Sequence, residues 1–251
     1  MILGVIPARW ASTRFPGKPL AVIADRPMLW HVYQRCVEAN CLDRIVVATD
    51  DERIALACQQ YGIESLMTLR SHATGTDRVA EVALRLGPDL VVNIQGDEPL
   101  IAPEAIRLVT RALVDGPHGV TNGYAELTDP ADFVDTTVPK VVLRSDNTAL
   151  YLSRAPIPYP KARIGPYYFQ VCAYGFHSEA LSWFATTTPG YVERMEGIEL
   201  LRFLEGGRPV KMVQVPPSPV AVDSPEDLER ARAILVARGK AYHGADASPP
   251  T

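Results

Sequence analysis

The chain reads as an α/β protein built on a mostly parallel sheet with helices on both faces. Three observations predict this. Short apolar runs alternate with amphipathic helical stretches through the first half. Those runs end in polar turns, the place where α/β proteins of this class hold ligands. In the second half, strand-like segments follow one another through short or irregular links, which adds an antiparallel portion.

Taken in order, residues 2–6 form a buried strand, and 27–40 a helix with Met28, Val32 and Val37 on its inner face. Residues 44–49 (RIVVAT) are a strand ending in Asp50-Asp51-Glu52, a start signal for a helix over 52–61. A short strand over 64–68 precedes a helix over 76–86 with Val79, Val82, Ala83 and Leu86 inward. Residues 90–94 (LVVNI) are a strand running into Gln95-Gly96-Asp97-Glu98-Pro99, and 103–114 a helix. Strands are expected at 119–125, 140–144, 149–153, 170–176 and 210–214, and helices at 189–205 and 225–236. Residues 1–238 then form one domain with an antiparallel insertion at about 128–168, and 239–251 a flexible tail.

Composition narrows the function. Of 251 residues, 47% are hydrophobic and 22% charged, an ordinary globular balance. A net charge of −4 argues against a protein that coats nucleic acid, so basic residues serve local sites. Cys36, Cys41, Cys58 and Cys172 have no CxxC or zinc spacing and read as reduced thiols of a cytoplasmic protein. No segment resembles a signal peptide or a membrane helix. Dinucleotide, P-loop, nucleophile-elbow and HExxH patterns are absent from the sequence.

What remains is local. After the first strand come Arg9, Ser12, Arg14 and Lys18 in a loop shaped by Pro7, Pro16, Gly17 and Pro19. Such a loop suits a polyanion, most simply a triphosphate; the alternative is a solvated basic loop. Asp97 and Glu98 follow a strand, and consecutive side chains point opposite ways, so one of them can face a phosphate-bound cation. Asp97 is the better candidate; an exposed acidic turn is the alternative. Asp223 ends an apolar stretch before a Pro-started helix, either as a second ligand or as the helix N-cap. The loop His72–Arg78 (HATGTDR) can read a base edge, or simply cap its helix through Thr76 with Asp77 and Glu81 in the first turns. Tyr167, Tyr168 and Phe169 form an aromatic cluster that fits a core or a dimer surface.

Several segments together carry a resemblance. IPARWASTRFPGKPL, VATDDERI, HATGTDRVAE, VVNIQGDEPL, PKVVL, ALYLSRAPIPY and VDSPEDLERAR resemble, in order and spacing, the CMP-Kdo synthetases (3-deoxy-manno-octulosonate cytidylyltransferases) from residue 1 to about 235. The resemblance implies a Rossmann-like nucleotidyltransferase fold, a homodimer built partly through the insertion, and Mg²⁺-dependent transfer of CMP from CTP to an acid, releasing pyrophosphate. It implies that Arg9, Ser12, Arg14 and Lys18 bind the triphosphate and that His72, Thr74, Gly75 and Thr76 lie around cytidine. Asp97 and Asp223 would hold the metal, with Lys18 and Arg14 beside them as catalytic groups. Gln95, Arg154, Gln170, Tyr174 and Glu199 would face the acceptor. The acceptor half departs from the family pattern: Gln170 and Cys172 stand where a His and a Gly are usual, and Leu200 where an amide is usual. Kdo is therefore the family acceptor, and a smaller acid such as phosphonoformate an alternative. A nucleotide-binding protein without turnover and an enzyme using UTP or dTTP are the other readings.

Overall fold

The structure, a computed structural model, describes residues 1–11, 15–161 and 166–237. Ser12 and Arg14 of the basic loop, and the expected tail at 239–251, lie outside the described residues.

In the first half, β1 (Ile2–Ala8) is followed by a small hairpin, β2 (Val22–Ile23) and β3 (Arg26–Pro27). Then come α1 (Met28–Ala39), β4 (Arg44–Thr49), α2 (Glu52–Gln60), β5 (Ser65–Met67), α3 (Gly75–Leu86), β6 (Leu90–Ile94) and α4 (Pro103–Asp115). The second half contains β7 (Val120–Glu126), α5 (Pro130–Val134), β8 (Lys140–Leu143), β9 (Ala149–Ser153), β10 (Tyr168–His177) and α6 (Ser178–Thr186). It closes with α7 (Tyr191–Glu196), α8 (Leu201–Glu205), β11 (Lys211–Gln214) and α9 (Pro225–Ala237).

The main sheet runs β11-β7-β10-β6-β1-β4-β5. Strands β6, β1, β4 and β5 are parallel neighbours, as are β7 and β11, whereas β10 is antiparallel to both β6 and β7. Side chains alternate across a strand, so β1 feeds two cores. Leu3 and Val5 pack with Val79 and Val82 of α3 and Leu181 of α6; Ile6 and Ala8 pack with Val32 of α1, Ile54 of α2 and Ile106 of α4. Burial on both faces explains why these strands read as continuous apolar runs. Among the described residues, no helix is long and apolar enough to cross a membrane.

Several local features differ from expectation. The helix expected at 189–205 is two helices, because Gly197 takes a left-handed conformation (φ 63°) and ends α7. Helix α6 leaves β10 directly; His177 supplies no side-chain cap, and no Gly or Pro marks the boundary in the sequence. The cap of α3 is Thr74 rather than Thr76: Thr74 and Asp77 form a reciprocal capping box. Val37 is exposed, and Leu29 and Cys36 join Val32 on the buried face of α1 instead.

The segment 128–168 holds α5 and the β8–β9 hairpin, which pairs with β10 through β8. Lys140 of β8 is fully buried, and its ammonium donates to the carbonyls of Asp135 and Val138, fixing the turn after α5. In the aromatic cluster, Tyr168 packs edge-on against Tyr124 of the core, while Tyr167 lies against Phe133.

Candidate active site

A cavity of about 390 Å³ opens at the carboxyl ends of β1 and β6, where parallel strands diverge into their loops. Arg9, Lys18, His72, Thr74, Gly75, Gln95, Asp97, Glu199 and Asp223 all line it. These nine come from six separate stretches of sequence. Glycine is required at one point of the wall: a Cβ on Gly96 would lie 2.7 Å from the Pro7 carbonyl oxygen, so only glycine lets this turn close onto β1.

At the floor, Lys18 joins the two carboxylates singled out in the sequence. Its Nζ donates to Asp97 Oδ2 at 2.9 Å and to Asp223 Oδ1 at 3.0 Å. Burial disfavours the lysine charge, but Asp97 and then Asp223 outweigh it and hold the ammonium above the ordinary lysine range. The backbone brings the pair together as well, since Val222 N–H donates to the Asp97 carbonyl at 2.8 Å. Ser224, not Asp223, caps α9: its Oγ accepts from Asp227 N–H at 3.2 Å. Asp223 is therefore left to face Lys18.

Glu98 points the other way. It is 3% exposed and accepts hydrogen bonds from Ser218 Oγ and Cys172 Sγ. Burial, then the Asp97 charge, pushes its carboxyl up to about 7. It lines a second cavity, of about 490 Å³, on the far side of Asp223.

Two carboxylates facing one another across a single positive charge fit a divalent cation that takes its remaining ligands from phosphate and water, as Mg²⁺ does. Among the described residues there is no cluster of three or more protein ligands, the arrangement a structural metal would need.

On the opposite wall, His72 is held by Glu81, which also accepts from Leu69 N–H at 2.9 Å. Glu199 reaches across from the start of α8 and accepts from the N–H groups of Gly75 (3.2 Å) and Thr76 (3.1 Å). Burial raises its carboxyl above the usual range. Thr76 itself is buried beneath the wall. Arg78, named in the sequence only as the end of the HATGTDR stretch and given no role of its own, lines the cavity; its guanidinium bonds Thr68 and Asp50, at 3.0 Å for the latter. The signal was its place one turn into α3, directly after the small-residue loop.

The acceptor-side expectations divide. Gln95 and Glu199 reach the cavity, whereas Arg154, Gln170 and Tyr174 are absent from its wall. Arg154 donates to the carbonyls of Glu196 (2.7 Å) and Thr136 (2.9 Å). Gln170 lines the second cavity and donates to Asn122 Oδ1 at 3.2 Å. Tyr174 stacks on Phe176, and burial raises its phenol well above the usual range.

Comparison with known proteins identifies the family. A family model described as cytidylyltransferase matches residues 3–212. The 3-deoxy-manno-octulosonate cytidylyltransferase of Solibacter usitatus (strain Ellin6076) is 44% identical over 239 residues, covering 94% of this chain and 95% of its own. That of Syntrophobacter fumaroxidans (strain DSM 10017 / MPOB) is 44% identical over 244 residues, covering 93% and 96%. A solved CMP:2-keto-3-deoxy-manno-octonic acid synthetase, complexed with CTP, superposes with a TM-score of 0.90 at 34% identity, covering 94% of this chain and 99% of that one. The antiparallel β10 within a mainly parallel sheet thus belongs to a nucleotidyltransferase fold. The chain is an enzyme of the CMP-Kdo synthetase (3-deoxy-manno-octulosonate cytidylyltransferase) family.

Proposed function

We propose that this protein transfers CMP from CTP to a hydroxyl of an acid acceptor, Kdo being the first candidate, with Mg²⁺ as cofactor and pyrophosphate as second product. The observation that carries the reading is Lys18 bridging Asp97 and Asp223 at the floor of a cavity rimmed by Arg9 and the His72–Gly75 loop. A nucleotide-binding protein without turnover would have no use for two carboxylates converging on one point.

In the proposed reaction the acceptor hydroxyl gives its proton to solvent, its oxygen bonds to the α-phosphorus, and the bond from that phosphorus to the oxygen bridging to the β-phosphorus breaks, releasing pyrophosphate. Negative charge grows on the phosphate oxygens and the leaving pyrophosphate. Protein groups contribute by positioning and by fixed positive charge. Lys18, with Arg9 and Arg14, carries that charge, while Ser12 completes the triphosphate loop. Mg²⁺ held by Asp97 and Asp223 would add positive charge at the α-phosphate and favour the ionised acceptor oxygen. His72, Thr74 and Gly75 provide the cytidine side, with Thr76 fixing the loop from below. Gln95 and Glu199, which line the cavity, are assigned to the acceptor. We place the enzyme in the cytoplasm as a homodimer; exposed Leu150 and Tyr159 near the hairpin suit a surface covered by a second copy.

A second reading, a smaller acceptor such as phosphonoformate, is favoured by one observation. Gln170, at an acceptor position of the family pattern, gives its amide to Asn122 rather than to the cavity. Pyrophosphate release from CTP and Mg²⁺ with each acid separates the two. Release with Kdo at ordinary enzymatic rates supports the first reading and ends the second; release with neither acid contradicts both. Substituting UTP or dTTP for CTP should stop release.

A further inference from the structure

Asp223 sits at the end of a stretch with little structure of its own. From Val215 to Asp223 the chain carries no helix or strand, yet its last residue must meet Asp97 within the span of one ammonium. Two polar ties connect this stretch to the turn after β6. Val222 N–H donates to the Asp97 carbonyl at 2.8 Å, and Ser218 Oγ donates to Glu98 Oε2 at 2.5 Å. Apolar burial adds a third constraint, since Val220 and Val222 pack against Leu100 and Leu228. Glu98 is the unusual member. It is covalently next to one carboxylate of the pair and hydrogen-bonded to the segment that delivers the other, 120 residues away. At 3% exposure, water does not compete for that bond. Its carboxylate faces away from Lys18, so it serves neither charge neutralisation nor substrate contact in the cavity.

We propose that Glu98, acting through Ser218, is a positioning residue that sets Asp223 opposite Asp97. The inference rests on the reading of Asp97 and Asp223 as the metal pair. Removing a polar group that orients a ligand lowers metal affinity by about 10–100-fold in metalloproteins generally. Loss of the Ser218 hydroxyl should act in the same way, because it frees the Asp223 stretch without touching either carboxylate.

The test uses the whole chain with CTP, titrated with Mn²⁺ and read by the electron paramagnetic resonance signal of free Mn²⁺. Ser218→Ala should weaken Mn²⁺ binding by about tenfold, and raise the Mg²⁺ needed for half-maximal pyrophosphate release in proportion, with kcat at saturating Mg²⁺ changed less. Ser218→Thr, which keeps the hydroxyl, and Glu98→Gln, which keeps an acceptor oxygen, should bind Mn²⁺ like the parent. A folded Ser218→Ala protein that binds Mn²⁺ as the parent does overturns the proposal, even if its melting temperature falls. Asp97→Asn separates this from failure of the underlying reading. If Asp97→Asn loses Mn²⁺ while Ser218→Ala does not, only the positioning role is lost; if Asp97→Asn binds Mn²⁺ like the parent, the metal pair is wrong and the positioning role with it.

Discussion

Around the ends of β1 and β6, charged groups converge on open space: Lys18, Asp97 and Asp223 meet at the floor of a cavity with Arg9 at its rim. Around β9, β10 and the α7–α8 connection, charged and polar groups turn onto the protein instead. Arg154 holds the carbonyls of Thr136 and Glu196, and Gln170 holds Asn122. Arg202 is 3% exposed, forks onto Glu193 at 2.6 and 2.7 Å, and lies 3.5 Å from the Phe184 ring centre. One region is arranged for a ligand and the other to fasten the second half of the chain to the sheet. Polar residues in the two regions look alike in a sequence, but their substitution should be felt in different measurements.

The largest effect should come from the fastening region. Arg202→Met leaves Glu193 buried without its partner, at a cost of about 3–5 kcal/mol, or a fall in melting temperature on the order of 10 °C. Calorimetry checks the loss, and CTP affinity of the folded fraction should be kept. If affinity falls in step with stability, the division between the regions breaks down. Lys18→Met should do the reverse. Turnover per folded molecule is expected to drop about a hundredfold, near 3 kcal/mol in transition-state stabilisation, as measured by pyrophosphate release. An unchanged rate would remove Lys18 from the chemistry.

Thr74 lies where the regions meet, lining the cavity while capping α3. Thr74→Ala should cost about 1 kcal/mol of stability, the usual value of an N-cap, read from denaturant unfolding. A larger loss in CTP affinity than in stability would assign its hydroxyl to the nucleotide rather than to the helix.

The same division governs what could be read from the sequence. Strands β4, β6 and β9 stand at their expected bounds, and the helices of the first half within a residue or so; burial on both faces of β4 and β6, and on one face of each helix, leaves a strong apolar signal. The break at Gly197 and the helix after His177 were not legible. A glycine inside a helical pattern can be tolerated at a cost of about 1 kcal/mol or can serve as a C-cap, so it does not by itself mark a break, and α6 starts without a capping side chain. In the site, residues beside strand ends were legible because the sheet itself carries them to one place. Arg154, Gln170 and Tyr174 could be placed only by resemblance; Arg154 bonds Glu196, 42 residues away, and Gln170 bonds Asn122, 48 residues away. Glu98 illustrates the limit: period-two alternation points it away from Asp97, but nothing in the sequence names Ser218 as its partner.

Catalysis is assigned to the carboxylate pair, and the most direct test is pyrophosphate release by Asp97→Asn with CTP, an accepted acid and Mg²⁺. Replacing one carboxylate by an isosteric amide keeps the shape of the turn and removes the charge. Release should fall by on the order of a hundredfold or more while the protein stays folded. Release at the parent rate would contradict the role given to Asp97 and, with it, the site as described.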